Sequence, residues 1–410
     1  MVRRRILLGV LLGALFAAGW WAGRGRAANG LYSSLDLFVE VLHAVQTNYV
    51  DPVQTQPLMQ GAMHGLVREL DPWSRYLDPA EFQAARAASD GSFDGVGAAL
   101  DVRDGWPLVI SAVEGSPAWD AGLEPGDVIT RIDGHGTQGL GLGDVSSRLR
   151  GPAGTTVRLA LTRPGEDGER EVTVTRGRVF VSSVPYAFVA APGVGYLRLA
   201  QFAGGAARQV QAALDTLHAA GARSLVLDLR GDPGGSVDEA VAIAGDLLPA
   251  GDLVATTHGR TPDANRRYTV AERRPGPAWP VVALVDGGSA SASEIVAGAL
   301  QDHDRALLVG EPTFGKGLVQ TVYPLRDRAG ALQLTTAWFL TPSGRTLHRP
   351  GVTGSDDTGD DDTAPADTAA KPAPVFHTDG GRVVHGGGGL EPDLVVHPDS
   401  LPPLARTLED

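Results

Sequence analysis

The segment Gly287–Glu294, with the sequence GGSASASE, joins an apolar run, Val281–Val285, to a helical pattern, Ala292–Gln301. The order of these three pieces predicts a buried strand, a tight turn and a helix. A serine in such a turn lies at a helix N-terminus, where free backbone N–H groups can hold a developing oxyanion. Ser291 with Glu294 three residues later is equally typical of a helix cap. Spacing alone leaves nucleophile and cap evenly matched.

A lysine between two glycines forms the second informative segment, Glu311–Gln320, with the sequence EPTFGKGLVQ. An apolar neighbourhood desolvates a lysine, which lowers its pKa and makes it a usable general base. Lys316 is therefore a candidate base for Ser291. A phosphate-binding loop is excluded because Gly317 follows the lysine where that motif needs Ser or Thr. A surface lysine on a turn is the alternative.

Strands alternate with helices around these two segments, which predicts an α/β core over residues 179–350. The predicted helices are Gly205–Ala220, Val237–Leu248 and Ala292–Gln301. The predicted strands are Ser224–Leu229, Val281–Val285, Ala306–Gly310, Val319–Pro324 and Leu332–Leu340. Such alternation favours a sheet with helices on its faces.

A small β-rich region precedes this core, at residues 91–178. Its predicted strands are Gly97–Val102, Leu108–Val113, Val128–Ile132, Val157–Thr162 and Glu171–Arg176, with short helices at Ser116–Ala121 and Gly143–Leu149. The phrase from Gly115 to Gly134 closely resembles a PDZ domain, a module that adds a peptide as an extra strand and holds its terminal carboxylate. By that resemblance the carboxylate loop is Gly95, Val96, Gly97 and Ala98. A plain hairpin turn is the alternative.

The N-terminus carries an export signal, residues 1–28. Arg3, Arg4 and Arg5 precede an uncharged run, Ile6–Ala22, which places the rest of the chain outside the cytoplasm by the positive-inside rule. Both an uncleaved membrane anchor and a cleaved signal peptide fit this run. We expect an anchor in the inner membrane and a periplasmic or cell-envelope location. Residues 29–90 follow with a helical pattern, interrupted at Asp-Pro pairs.

Composition narrows the chemistry further. The 410 residues carry a net charge of −13, which argues against nucleic acid as a partner. There is no cysteine, so thiolate catalysis and Cys-based metal sites are excluded. We predict no cofactor and no metal. Residues 351–375 are acidic and poor in large apolar side chains, which predicts a disordered insertion, and residues 376–410 return to the core.

Several phrases together resemble the C-terminal processing, or tail-specific, protease family. They are Ser289–Gln301, Thr313–Gln320, Leu70-Asp71-Pro72, Leu227–Arg230 with Pro233-Gly234-Gly235, and Leu340–Arg345. The resemblance implies an α/β, multidomain protein: a helical N-terminal region, an inserted PDZ domain and a crotonase-like protease core. It implies Ser291 as nucleophile, Lys316 as base and Gln320 as the residue that orients the lysine. Oxyanion donors would be the N–H of Ala292 and one from Gly234 or Gly235.

The implied activity is a Ser/Lys endopeptidase that cuts proteins near free, apolar C-termini. One departure from the family pattern is Asp232, where relatives more often carry Asn. Histidine fits poorly as an alternative base, and His303 is expected to be solvated. A non-catalytic PDZ adaptor and a hydratase-type enzyme on the same fold are the competing hypotheses. An adaptor partner and a homo-oligomer are both compatible with the sequence.

Overall fold

The computed structural model describes residues 32–166, 168–271, 278–326, 330–349 and 373–397. These residues belong to two compact units, Met1–Leu70 and Asp71–Asp410. The predicted export signal, residues 1–28, lies outside the described residues, as does nearly all of the acidic insertion. Within the described residues, every helix is too short or too polar to cross a bilayer.

The first unit contains two helices. α1 covers residues 32–48 and α2 is Thr55–Arg68. The Gln46 amide donates to Thr55 Oγ1 at 2.6 Å across the connection. Both helices match the pattern expected for this region. They are separate because Pro52, after Asp51, prevents the first helix from continuing into the second.

The second unit opens with β1, Arg75–Leu77, a strand inside the region that was predicted to be helical. It pairs with a strand more than 250 residues later in the chain, a contact that local sequence cannot reveal. α3, Pro79–Ser89, follows as predicted and begins with a capping box: Asp78 accepts from Glu81 N–H, and the Glu81 carboxylate accepts from Asp78 N–H, each at 2.8 Å.

The small β domain matches its predicted strands to within one residue at most ends. After β2, Ser92–Gly95, its elements are β3 (Ala98–Arg103), β4 (Trp106–Ala112), α4 (Pro117–Asp120), β5 (Val128–Ile132), β6 (His135–Gly136), α5 (Leu142–Leu149), β7 (Thr156–Thr162) and β8 (Arg170–Thr175). The sheet order is β3-β4-β5-β7-β8, with β6 beside β5. β3 therefore forms one edge, and α5 packs next to it. β9, Gly177–Phe180, pairs with β2 as the chain leaves the domain.

The core consists of two sheets and the helices packed on them. Its elements are β10 (Tyr186–Ala191), β11 (Val194–Arg198), α6 (Ala206–Ala219), β12 (Ser224–Asp228), α7 (Val237–Leu247), β13 (Leu253–Gly259), β14 (Arg266–Thr269), β15 (Val281–Val285), α8 (Ala292–Asp302), β16 (Ala306–Gly310), β17 (Leu318–Pro324) and β18 (Ala331–Leu340). The last elements of the described residues are β19 (Val375–His377), β20 (Val383–His385) and β21 (Leu394–Val395).

The larger core sheet has the order β10-β11-β12-β15-β16-β21, and every pair from β11 to β21 is parallel. Its central strands are continuous apolar runs because both faces are covered. α8 is buried along its whole length. The second sheet has the order β1-β18-β13-β14, with β17 beside β18. The last strand of the larger sheet, β21, has only two residues, and Pro392 just before it has no N–H to donate to a neighbouring strand.

Candidate active site

Three loops of the core leave adjacent parallel strands at their carboxyl ends. The turn 229–235 follows β12, the segment 286–291 follows β15, and the loop 311–317 follows β16. Because these strands are neighbours and parallel, the loops meet at one edge of the sheet, where open α/β folds place their ligands. The topology therefore gathers the predicted nucleophile, the oxyanion turn and the predicted base.

Ser291 is the N-cap of α8 but does not have the backbone of an ordinary cap. Its φ of 55° and ψ of −111° lie in a region that non-glycine residues rarely adopt. N-cap residues usually have extended backbone, so capping alone does not require this conformation. Strain of this kind costs about 1–3 kcal/mol and concentrates at functional sites. A serine held on such a strand-to-helix turn matches the geometry of a nucleophile elbow.

The turn after β12 packs directly on the segment that carries Ser291. The carbonyl of Asp232 accepts hydrogen bonds from Ala290 N–H and from Ser293 Oγ, each at 3.0 Å. A methyl group on Gly234 would lie 2.7 Å from Ala292 N, closer than real side chains approach. The turn needs glycine at this position because the two backbones touch.

Two N–H groups remain available in this arrangement. The Gly234 N–H donates to Asp232 Oδ1 at 2.8 Å and is therefore already used. Among the hydrogen bonds of the described residues, none uses the N–H of Gly235 or of Ala292. Ala292 is the first residue of α8, where N–H groups have no acceptor within the helix. Ala292 and Gly235 therefore stay the predicted oxyanion donors.

A single buried carboxylate connects the serine and lysine segments. Glu294 Oε2 accepts from the N–H of Ser291 and of Lys316, each at 2.9 Å. Its other oxygen accepts from Thr313 Oγ1 at 2.6 Å and from Gly315 N–H at 2.9 Å. Burial raises the pKa of Glu294, and these donors oppose that shift. The sequence suggested Glu294 only as a cap partner, and its link to the lysine loop was missed.

The Lys316 side chain is half-buried against an aromatic ring. Its Nζ lies 4.3 Å from the ring centre of Trp73, which itself meets Phe314 edge to face at 6.1 Å. Burial lowers the pKa of Lys316, the charge of Arg75 lowers it further, and Glu294 opposes both. No pattern in the sequence indicated this contact of Trp73. A cation over a ring is stabilised, so this contact favours the ammonium form.

No hydrogen bond joins Ser291 Oγ to Lys316 Nζ among the described contacts. Catalytic hydrogen bonds are often long or absent before substrate binds, so the missing contact does not exclude the pair. The predicted orienting residue, Gln320, donates from its amide to Thr335 Oγ1 at 3.4 Å. Its role toward Lys316 stays a prediction.

A cleft of about 480 Å³ lies along the second sheet and reaches the turn after β12 at Gly235, while Ser291 and Lys316 are not among its lining residues. Gly235 lines it on the oxyanion side and Gln320 on the lysine side. Further lining comes from Val319, Thr257 and Tyr268. A volume of this size accommodates a few side chains of an extended peptide.

His303 differs from its expected environment. Both ring nitrogens are engaged, Nδ1 with Asp379 Oδ2 and Nε2 with the carbonyl of Leu253, each at 2.7 Å. The expectation of a solvated histidine was wrong, because β13 packs over the end of α8. A ring held at both nitrogens does not act as a base for Ser291.

The loop Gly95–Ala98 lies between β2 and β3, beside the free edge of the small sheet. β2 pairs with β9 and β3 with β4, so the loop joins two sheets and is not a hairpin turn. The carbonyls of Val96 and Gly97 point into the domain, where they accept from Ala118 N–H and Val113 N–H. Gly97 has a φ of 84°.

Comparisons with known proteins agree with this architecture. The peptidase family S41 profile matches residues 193–355, and a PDZ domain profile matches residues 108–163. The carboxy-terminal-processing protease of Bartonella bacilliformis is 37% identical over 326 residues, covering 78% of this chain and 74% of that protein. The carboxyl-terminal-processing protease of Synechocystis is 37% identical, covering 73% and 71%.

A solved structure from Bacteroides fragilis, described as an S41 protease, aligns over 88% of this chain and 90% of its own with a TM-score of 0.51 and 16% identity. It supports the fold alone. The predicted α/β multidomain class with a PDZ domain is confirmed. The extent and identity of the sequence matches establish the family: this chain is a serine-type peptidase that belongs to the carboxy-terminal processing proteases of family S41.

Proposed function

We propose that this peptidase cuts its substrates with a Ser/Lys dyad, Ser291 and Lys316. The observation that carries the proposal is the strained backbone of Ser291, held together with the lysine loop by the buried Glu294 carboxylate. The bond from Ser291 N–H to Glu294 is also the capping-box contact of α8, but a cap needs neither the positive φ of Ser291 nor the bonds from Glu294 to the lysine loop. The lowered pKa of Lys316 adds the property that a lysine base requires.

In the proposed reaction, neutral Lys316 takes the proton of Ser291 Oγ as that oxygen bonds to the scissile carbonyl carbon. The resulting oxyanion accepts from the N–H groups of Ala292 and Gly235. The C–N bond then breaks, and the Lys316 ammonium returns a proton to the leaving amine. Water, deprotonated by Lys316, hydrolyses the acyl-enzyme and regenerates the serine. To take the serine proton, the Lys316 side chain has to move its Nζ from the face of the Trp73 ring to Ser291 Oγ.

The test compares wild type with Ser291→Ala and Lys316→Ala on an unfolded protein with an apolar tail. We expect both to lose at least about a thousandfold in kcat/KM. Ser111→Ala, an exposed serine of β4, and Lys371→Ala, the chain's other lysine, are matched controls that should stay active. Full cleavage by either dyad variant would disprove the assignment.

The PDZ domain is proposed to read the substrate's C-terminus. β3 is an edge strand to which a peptide can add, and the loop Gly95–Ala98 lies at one end of it. The inward carbonyls of Val96 and Gly97 leave the outer side of that loop for backbone N–H groups, which suit a carboxylate.

Gly97→Val tests this role. A side chain at Gly97 would lie 2.4 Å from Ser116 Cβ, so the loop has to shift. We expect this variant to lose the preference for free over amidated apolar tails, whereas Gly136→Ala, where a methyl meets no neighbour within 4 Å, should keep it. An unchanged preference in Gly97→Val would exclude the loop. Adding a tail peptide in trans separates recruitment, in which it competes, from gating, in which it stimulates.

The location of the chain is also a proposal. The segment Arg3–Ala22, outside the described residues, favours an extracytoplasmic peptidase held at the membrane. A reporter active only outside the cytoplasm, fused after residue 31, should be active. Membrane fractionation of the full chain then distinguishes an anchor from a cleaved peptide.

A further inference from the structure

Asp232 is a fully buried carboxyl group in the turn beside the nucleophile. Its Oδ1 accepts from Gly234 N–H at 2.8 Å, whereas its Oδ2 is buried and has no hydrogen-bond partner among the described residues. A buried ionised oxygen without a partner is far more costly than a neutral one. The structure therefore accommodates Asp232 best as a neutral acid.

The charged groups around the turn do not change this conclusion. Arg198 on β11 is the cation that favours ionisation of Asp232. The guanidinium of Arg198 is already 3.5 Å from Asp228, which also pairs with Arg230 at 2.7 Å. From the β15 side, Asp286 adds a second negative group by accepting from the Gly231 N–H at 2.8 Å.

From the α8 side, the Ser293 hydroxyl favours a negative Asp232, but the hydrogen bond that it makes leaves Oδ2 without a partner among the described residues. Ser293 directs its hydroxyl to the Asp232 backbone carbonyl, and the Glu294 carboxylate is occupied by the lysine loop. Burial outweighs the opposing contacts and raises the pKa of Asp232 to about 7. The group therefore changes charge within the range where a peptidase works.

Asp232 is positioned to affect the transition state. Its side chain accepts from Gly234 N–H, and Gly234 precedes Gly235, whose N–H the proposed mechanism assigns to the oxyanion. A negative charge on Asp232 would lie one hydrogen bond from this turn, in a buried environment where charges interact strongly. It would oppose the oxyanion that the turn must stabilise. An asparagine at this position keeps the oxygen for Gly234 and is neutral at every pH.

We propose that Asp232 is a positioning residue that supports catalysis only while protonated, so that its ionisation switches the peptidase down as pH rises. The proposal rests on the oxyanion role assigned above to the turn. It makes this chain sensitive to pH in a way that an Asp232→Asn variant is not.

The experiment measures kcat/KM of the full chain against pH for wild type, Asp232→Asn and Asp215→Asn, an exposed acid on α6. Lys316 must lose a proton, so activity rises with pH, and Asp232 must keep one, so wild-type activity then falls. We expect the ratio of Asp232→Asn to wild type to rise at least about tenfold between about pH 6 and about pH 9. Asp215→Asn should follow wild type throughout.

A ratio that stays constant with pH would overturn the proposal. So would an Asp232→Asn variant that is folded by circular dichroism but inactive at every pH. An incorrect Ser/Lys assignment gives a different result: Lys316→Ala would stay active, and the comparison of Asp232→Asn with wild type would be unaffected.

Discussion

Replacing Glu294 by glutamine tests whether one carboxylate positions both catalytic segments. The amide has nearly the same size, but one acceptor oxygen becomes an NH₂ donor. Each carboxylate oxygen accepts two hydrogen bonds, so two of the four contacts are lost whichever way the amide turns. A hydrogen bond to a charged group is worth roughly 1.5–3 kcal/mol, which gives an upper range of roughly 3–6 kcal/mol for the pair.

Without these two hydrogen bonds, the segments that carry the serine and the lysine should shift relative to each other. A shift of about 1 Å near the reaction can cost about a hundredfold, so we expect kcat of Glu294→Gln to fall by about that factor with little change in KM. The assay combines steady-state kinetics on a peptide substrate with chemical unfolding. Glu239→Gln is the matched control. That carboxylate also accepts from two backbone N–H groups, but they belong to Gly205 and Ala207 and not to the serine or lysine segment.

The control should lose stability and keep its kcat. If Glu294→Gln also lost stability but kept its kcat, the carboxylate would be a structural element only, and the positioning argument would be refuted.

The remaining predictions concern one base, one buried ion pair and one buried acid. Lys316 and Lys371 are the chain's two lysines, so NMR of ¹³Cε-labelled lysine gives two resonances; Lys316 should titrate at lower pH than Lys371, and coincident titration would contradict its lowered pKa. Arg345→Ala leaves the buried carboxylate of Asp302, now 2.7 Å from the guanidinium, without its partner, and should cost about 3–5 kcal/mol in chemical unfolding; a loss below about 1 kcal/mol would contradict this. Burial raises the pKa of Asp232 from 3.8 to about 7, so its contribution to stability is full at acid pH and lost as pH rises through about 7. Relative to Asp232→Asn, wild type should lose roughly 2–3 kcal/mol of unfolding free energy between about pH 5 and about pH 8, and parallel curves would show an ordinary carboxyl.

The sequence predicted the strands and helices with strong local patterns. The bounds of β15 and β16 match the predicted runs because both are continuous apolar segments, and in β15 no side chain is exposed. Four core strands, β10, β11, β13 and β14, were missed. All side chains of β10 are exposed, whereas β11 and β13 are partly buried, so exposure explains the first and not the other two. β1 was missed because its partner, β18, lies far along the chain.

The same limit applies to the site. Ser291 and Lys316 were predicted from their glycine-rich surroundings and the family resemblance. The contacts of Glu294 with the lysine loop and of Trp73 with the lysine itself join segments about 20 and more than 200 residues apart, so spacing gives no signal for them. Asp232 was identified as a departure, but its burial and its unpartnered oxygen depend on the packing of α8 against the turn.

The central claim is that Ser291 Oγ forms the acyl bond with substrate. A rapid acid quench of the peptidase during turnover of an activated ester or peptide, followed by mass spectrometry of its fragments, locates that bond. The proposed mechanism predicts one acyl group, on Ser291, that is absent in Ser291→Ala and forms much more slowly in Lys316→Ala. An acyl group on another residue, or undiminished turnover and acylation in Ser291→Ala, would contradict it.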